Sequence, residues 1–405
     1  MLKISANRRY IVDERGKLFP YLADTAWTLL QRLDRREIVE YLNIRAAQGF
    51  NAVQVSAISE LDGLYTPNRE GALPFADGDP MKPDERYFSL VTFLLGEAAR
   101  RRMVVALLPT WGDKFNQKWG VGPEVFTPEN AFAYGAYLAG LAGRFDNLIW
   151  MLGGDRPIEN ERHRAVIDAM AAGIRSGEGR RHLMTYHPCG EASSADWLKG
   201  CDYLDFHSLQ SGHGFGGWQS HRMVARTLAA EDKPCLDAEC FYEDFPVDFC
   251  LDWGYRWGPS DIRRRVYANL VSGALGHTYG HQSVWCFRDK RDAEYPYRWK
   301  EALHRPMALQ MKQVNKLISF IDLLSLEPGG LSANCLSAAG SDYALVYPTR
   351  GRRVFVDIGK RFDAVRLQWY DTAAGTLLEP KGEYRGKCVF TPPKQGDHIL
   401  LLRAI

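Results

Sequence analysis

Residues 147–157 read NLIWMLGGDRP, and the apolar side chains at 148–152 show no helical spacing. A run of that kind is a strand covered on both faces, as in a parallel sheet flanked by helices. It stops at two glycines and then an acid, Asp155. Residues 234–239 repeat the arrangement, with Cys235, Leu236, Asp237 and Ala238 leading into Glu239. Strands that end abruptly in acids are how an α/β barrel presents reactive groups at the carboxyl-terminal mouth of its sheet.

The rest of the chain supplies the partners of those two strands. Residues 1–18 read as a polar hairpin, and 19–24 as a first strand that delivers Asp24 and Trp27 to its end. Asp34, with Glu37 three residues on, predicts a capping box for a helix over 35–48. Strand two spans 51–58, and the loop 59–85 that follows is rich in proline and long enough to suggest function. A helix over 87–102 leads to strand three, 103–109, which ends in Trp111 and Asp113. Helices over 128–145 and 162–176 flank strand four. Strand five, 182–187, ends in Tyr186 and His187; strand six, 203–207, precedes Gln210 and His213. Helices over 221–230 and 261–275, the latter capped by Ser260, flank strand seven. Strand eight, 278–287, carries Tyr279, His281 and Trp285, and a helix over 301–320 closes the series. Eight strand–helix alternations predict a (β/α)8 TIM barrel over residues 1–326. After a Pro/Gly linker the pattern shortens and alternates, which predicts a small antiparallel β-sandwich over 331–405.

Composition narrows the chemistry. A net charge of +2 gives no electrostatic reason to expect nucleic acid or an acidic membrane surface. No stretch approaches the ~20 apolar residues of a membrane helix. The first residues lack a secretory h-region, so a cytoplasmic location is expected. The eight cysteines form no CxxC pair and read as reduced, mostly buried thiols. His187, His207, His213, His277 and His281 fall near strand ends, but strand one lacks the HxH pair of metal-dependent barrel hydrolases. No metal and no cofactor is expected. No G-x-S-x-G elbow, dinucleotide fingerprint or P-loop is present.

Strands four and seven lie on opposite sides of a barrel mouth. Retaining glycoside hydrolysis needs two carboxyls about 5–5.5 Å apart, one to protonate the leaving oxygen and one to attack the anomeric carbon. Asp155 as acid/base and Glu239 as nucleophile fit those positions. Asp155 then needs a raised pKa, while Glu239 must stay ionised. Tyr186, His187, Gln210 and Tyr279 end other strands and are candidate donors. Asp24, Trp27, Trp111, Asp113, His213, His281 and Trp285 complete the candidate substrate contacts. Asp237 shares a strand face with Glu239, so it is expected deeper, held by a cation or backbone donors, with Arg156 or a histidine holding Glu239.

The segments ADTAW (23–27), LLPTWGD (107–113), WMLGGDR (150–156), TYHP (185–188), LQSGH (209–213) and HTYGH (277–281) resemble the apiosidase-like glycoside hydrolases, family 140 and its relatives. The tail segments 369–375 and 395–402 are similar to the small β-domain fused behind that barrel, which sometimes carries a collagen-binding label. The resemblance implies a retaining enzyme with Asp155 as acid/base and Glu239 as nucleophile. It further implies an exo-acting enzyme that removes an apiose-like or other plant cell-wall sugar, as in pectin degradation, from an oligosaccharide or glycoside substrate. Cys240 stands where relatives have Pro, and Gln282 where they have Asn, which loosens any transfer of apiose specificity. Two alternatives are a non-catalytic carbohydrate-binding barrel and a metal-dependent barrel hydrolase.

Overall fold

The computed structural model describes residues 1–349, 353–379, 381–393 and 397–405. Residues 395 and 396, which open the second tail segment, lie outside the described residues. Eight parallel strands form the centre of the molecule: β1 (Tyr21–Thr25), β2 (Ala52–Ser56), β3 (Val104–Leu108), β4 (Leu148–Gly153), β5 (Met184–His187), β6 (His207–Gln210), β7 (Cys235–Glu239) and β8 (Gly276–Tyr279). All eight are buried along their whole length, as apolar runs without alternation require.

The strands divide into two ladders. Six form one curled sheet in the order β8-β1-β2-β3-β4-β5, while β7 and β6 pair separately, β6 also pairing antiparallel with Ala192–Ser193. Single backbone bonds link the two at the joins, Asp205 N to Met184 O (2.8 Å) and Leu275 N to Cys235 O (2.8 Å). The expected ring of eight continuous ladders is therefore replaced by a six-stranded parallel sheet and a separate ladder. One cause is visible at the β5–β6 join. The Asp205 carboxylate accepts the Met184 N–H at 2.8 Å, taking a donor that a ladder would use. Residues 203–206, expected as strand, turn there instead, and β6 begins at His207.

Seven helices of eleven or more residues surround the sheets among the described residues: α1 (Arg35–Ala47), α2 (Glu85–Arg100), α3 (Pro128–Ala142), α4 (Glu161–Gly177), α5 (Ser220–Ala230), α6 (Pro259–Val271) and α7 (Pro306–Ile318). The capping box is present on α1: the Glu37 N–H donates to Asp34 at 2.8 Å, and the Asp34 N–H to Glu37 at 3.2 Å. Gly258, not Ser260, caps α6, because the Asp261 carboxylate reaches back to the Gly258 N–H. The closing helix is interrupted. Pro306 cannot continue a helix begun at Trp299–Ala302 and instead occupies the first turn of α7. Strand eight ends at Tyr279, His281 makes a lone parallel bridge to Glu243, and 282–287 form turns. Among the described residues no helix is long and apolar enough to cross a membrane.

The C-terminal part is an antiparallel β-domain with one seven-stranded sheet and one two-stranded sheet. Its strands Tyr343–Tyr347 and His398–Ala404 have two apolar faces. Tyr343, Leu345, Tyr347, Ile399 and Leu401 join the main core, whereas Ala344, Val346, Leu400 and Leu402 build the domain's own core. Alternation on a strand makes that division automatic.

Candidate active site

The site is built at the exits of β4, β5 and β7. Gly153, Gly154 and Asp155 have φ of +86°, +114° and +55°, three successive left-handed residues. A Cβ at Gly153 would lie 2.4 Å from the His187 carbonyl, so glycine is required for this tight reversal. The reversal sets the Asp155 N–H 3.1 Å from His187 Nδ1, to which it donates. Since Nδ1 accepts, the neutral imidazole carries its proton on Nε2. Nε2 stands 3.1 Å from Glu239 Oε2. One buried imidazole thus touches both acid-bearing segments.

Glu239 has two further partners. Tyr242 donates its hydroxyl to Oε1 at 2.6 Å, and His213 Nε2 lies 3.0 Å from the same oxygen. The Tyr242 oxygen in turn accepts the Trp27 indole N–H at 2.8 Å, which directs its own proton to Glu239. Burial alone would push the Glu239 pKa up, but the two histidines overcome it and hold the carboxyl at about 2. Asp155 goes the other way. Burial and the Glu239 charge raise its pKa, against the pull of Arg156 (3.0 Å) and the Trp119 indole N–H (2.8 Å) on Oδ2. The pKa values of two carboxyls in one cleft are thus pushed in opposite directions.

Both acids line a cleft of about 750 Å³, with Trp27, Trp111, Gln210, His213 and Trp285 among its walls. His187 is fully buried behind Glu239. Trp111 Nε1, Gln210 Oε1, His213 Nδ1, Gln282 Oε1 and Trp285 Nε1 are buried polar atoms with no hydrogen-bond partner among the described residues. All five belong to residues lining the cleft.

Other candidates are placed elsewhere. Asp24 is fully buried in an ion pair with Arg45 (2.6 Å) and accepts from Tyr41. Asp113 pairs with Lys114 and receives the Gly122 N–H, tying down its loop. Tyr186 donates to the Arg156 carbonyl, and Tyr279 to Glu243. His281 accepts from Ser283 N and faces Asp244 at 3.0 Å. These five lie outside the cleft lining because each strand-end polar group found a protein partner. Asp237 does lie deeper, and of the two expected partners it has the backbone donor, Ser211 N, with Ser211 Oγ and Asn269 Nδ2 donating beside it. Burial pushes its pKa up to about 6. Arg156 pairs with Asp155 and Glu60 rather than Glu239.

The sequence reading missed Glu60, Trp119 and Tyr242. Glu60 lies just past strand two and follows the same strand-end rule, so a signal existed; Trp119 and Tyr242 sit in loops with none. Burial, reinforced by Asp155, raises the Glu60 pKa to about 7. Of the five strand-end histidines, His187 and His213 meet at Glu239, while His207 binds Ser194 and Glu231, and His277 lies near Cys240. Among the described residues no group of three or more His, Cys, Asp or Glu side chains is placed to hold a metal ion. Cys235 and Cys240 are buried, and burial raises both thiols.

The model of the apiosidase-like catalytic domain matches residues 5–325, and that of a "Putative collagen-binding domain of a collagenase" matches 324–403. A crystal structure described as a glycoside hydrolase family 5 protein from Bacteroides vulgatus is 29% identical, with a TM-score of 0.90, covering 100% of this chain and 93% of that one. A second glycoside hydrolase structure is 27% identical, TM-score 0.90, covering 100% and 96%. A family 27 β-L-arabinopyranosidase from Geobacillus stearothermophilus shares the fold at 11% identity, TM-score 0.57, covering 95% and 97%. No protein of curated function matches the chain.

Proposed function

The chain belongs to the apiosidase-like family of catalytic domains, and from this we infer that it is a retaining glycoside hydrolase releasing a terminal sugar from a glycan. The observation that carries the reading is that Asp155 and Glu239 line one cleft and their pKa values are pushed in opposite directions, up for Asp155 and down for Glu239. In this account the eight parallel strands act together as a (β/α)8 barrel, with the acids across its mouth.

Protonated Asp155 gives its proton to the glycosidic oxygen as the C–O bond breaks. Ionised Glu239 attacks the anomeric carbon and forms a glycosyl-enzyme ester. Asp155, now a carboxylate, takes a proton from water, which attacks the same carbon and frees Glu239. The donors on Glu239 keep it anionic before attack and stabilise it as a leaving carboxylate afterwards. The unpartnered Trp111, Gln210, Gln282 and Trp285 atoms suit the hydroxyls of a sugar. All eight cysteines are unpaired, which supports a reducing, cytoplasmic location.

Asp155→Ala tests the assignment. Hydrolysis of glycosides with poor leaving groups falls about 10²–10⁴-fold, activated aryl glycosides lose much less, and azide restores turnover as a glycosyl azide of retained configuration. Equal losses on both substrate types, with no azide product, would contradict the role.

A further inference from the structure

The loops after β6 and β7 carry an aromatic surface that the two-acid chemistry does not use. Phe249, Trp253 and Phe215 are 66%, 53% and 51% exposed. Phe215 and Trp253 lie 5.6 Å apart and tilted by 32°, and Phe245 and Phe249 meet edge-on at 5.1 Å. Large exposed apolar groups gathered in one place mark an interaction site.

Two observations tie this surface to the cleft. Phe249 and Phe245 line both, and His213, which contacts Glu239, stacks on Phe245 at 4.3 Å. The rings of Phe245 and Phe249 therefore continue outward from His213 at the nucleophile. Phe249 also has φ +61°, next to Asp248 at +54°. A bulky residue held in the left-handed region while its ring stays in solvent is a costly arrangement, and such outliers persist where a site needs them.

The charge of the surroundings selects the ligand. Glu60, Asp155, Glu191, Glu239, Asp248 and Glu294 line the cleft, and no Lys or Arg does among the described residues. Asp248 and Glu191 stand over the glycine-rich edge beside Phe215: a Cβ at Gly214 would meet Asp248 at 3.0 Å, and one at Gly216 would meet Glu191 at 2.2 Å. Aromatic faces bordered by carboxylates suit a sugar ring, whose C–H face stacks while its hydroxyls donate outward. A uronate would bring a further negative charge into an anionic cleft.

We propose that Phe249, Trp253 and Phe215 form a second sugar-binding subsite, which takes an uncharged ring of the substrate beyond the one cleaved. The assignment rests on the glycosidase reading above and extends it to substrate class. Binding of neutral arabino-, xylo- and gluco-oligosaccharides of one to four rings, and of oligogalacturonates, to the full chain carrying Glu239→Gln is measured by titration calorimetry. Affinity climbs from one ring to longer chains for a neutral series, oligogalacturonates bind more weakly, and Phe249→Ala and Trp253→Ala each remove about tenfold of the climb. A climb that survives both substitutions, no affinity for any neutral chain, or equal affinity for the acidic series would overturn the proposal. So would variants that change the sedimentation of the chain and leave sugar affinity intact, since the surface would then serve a second copy. Release of no reducing sugar by the unsubstituted protein, with the length-dependent binding present, would count against hydrolysis alone.

Discussion

Glu239 and Asp155 begin with the same chemistry and are separated by their neighbours. Tyr242 and His213 hydrogen-bond the first and His187 stands beside it, while burial and the charge of the first act on the second. A pH profile reads that difference with a defined sign. Glu239 must be ionised, so kcat/KM falls as pH drops towards about 2; Asp155 must be protonated, so it falls again as pH rises through its raised pKa. Glu60 adds a carboxylate beside Asp155 in the same cleft. Glu60→Gln removes that charge, lowers the Asp155 pKa and moves the alkaline limb to lower pH. An alkaline limb that stays in place, or moves up, would show that Glu60 does not act on Asp155. Residue types at strand ends were legible in the sequence, and Asp155 and Glu239 stood out because each closes an apolar run. Which polar groups face the cleft was not legible. Asp24 and Tyr279 end strands as well, but Arg45 and Glu243 claim them, and those partners lie far along the chain.

At the scale of elements, the turn after β8 fixes Tyr242. A Cβ on Gly280 would lie 2.1 Å from the Tyr242 ring and 2.7 Å from Thr25 Oγ1. Gly280→Ala therefore displaces Tyr242 from Glu239 and removes one of its donors. The Glu239 pKa rises, the acid limb of the profile moves to higher pH, and kcat falls about 10–10³-fold, by analogy with the loss of one preorganised donor. An unchanged acid limb in a folded variant would mean the tyrosine does not hold the nucleophile. Helices were largely readable because periodicity and capping are local: Asp34 and Glu37 place the start of α1 from four residues of sequence. Strand ends were less so. Residues 203–206 have the composition of a strand, yet the Asp205 side chain takes a backbone donor from β5 and turns the chain. A side chain substituting for a ladder bond leaves no periodic trace. Pro306 did leave one, since its ring forbids the continuous helix that the apolar spacing suggested.

Across the whole molecule, the β-domain is packed as part of the main core. Tyr343, Tyr347 and Tyr370 sit in the same apolar cluster as Met307, Met311 and Val314 of α7. The Tyr343 and Tyr370 hydroxyls reach the carbonyls of Asp322 and Gln313, and Arg403 reaches that of Phe320. Truncation near residue 325 strips this cover, so the shortened chain should lose solubility or melt at a lower temperature, measured by thermal unfolding beside the full chain. A truncated protein with an unchanged melting curve that binds only long glycans less well would instead make the domain a binding module. The domain's existence was legible from its shortened, alternating runs. Its two-faced strands were not, because every residue of Tyr343–Tyr347 is buried and only the structure shows which core each one enters.

A retaining mechanism requires Glu239 to become covalently bonded to the sugar. A 2-fluoro glycoside slows both steps but the second more, so the glycosyl-enzyme accumulates and can be mapped by peptide mass analysis. The expected result is one sugar per chain, attached to the peptide containing Glu239, with return of activity as the ester hydrolyses. Label on Asp237 or Glu243 would contradict the assignment of the nucleophile, and no label from any sugar together with an inverted product would contradict the retaining mechanism itself.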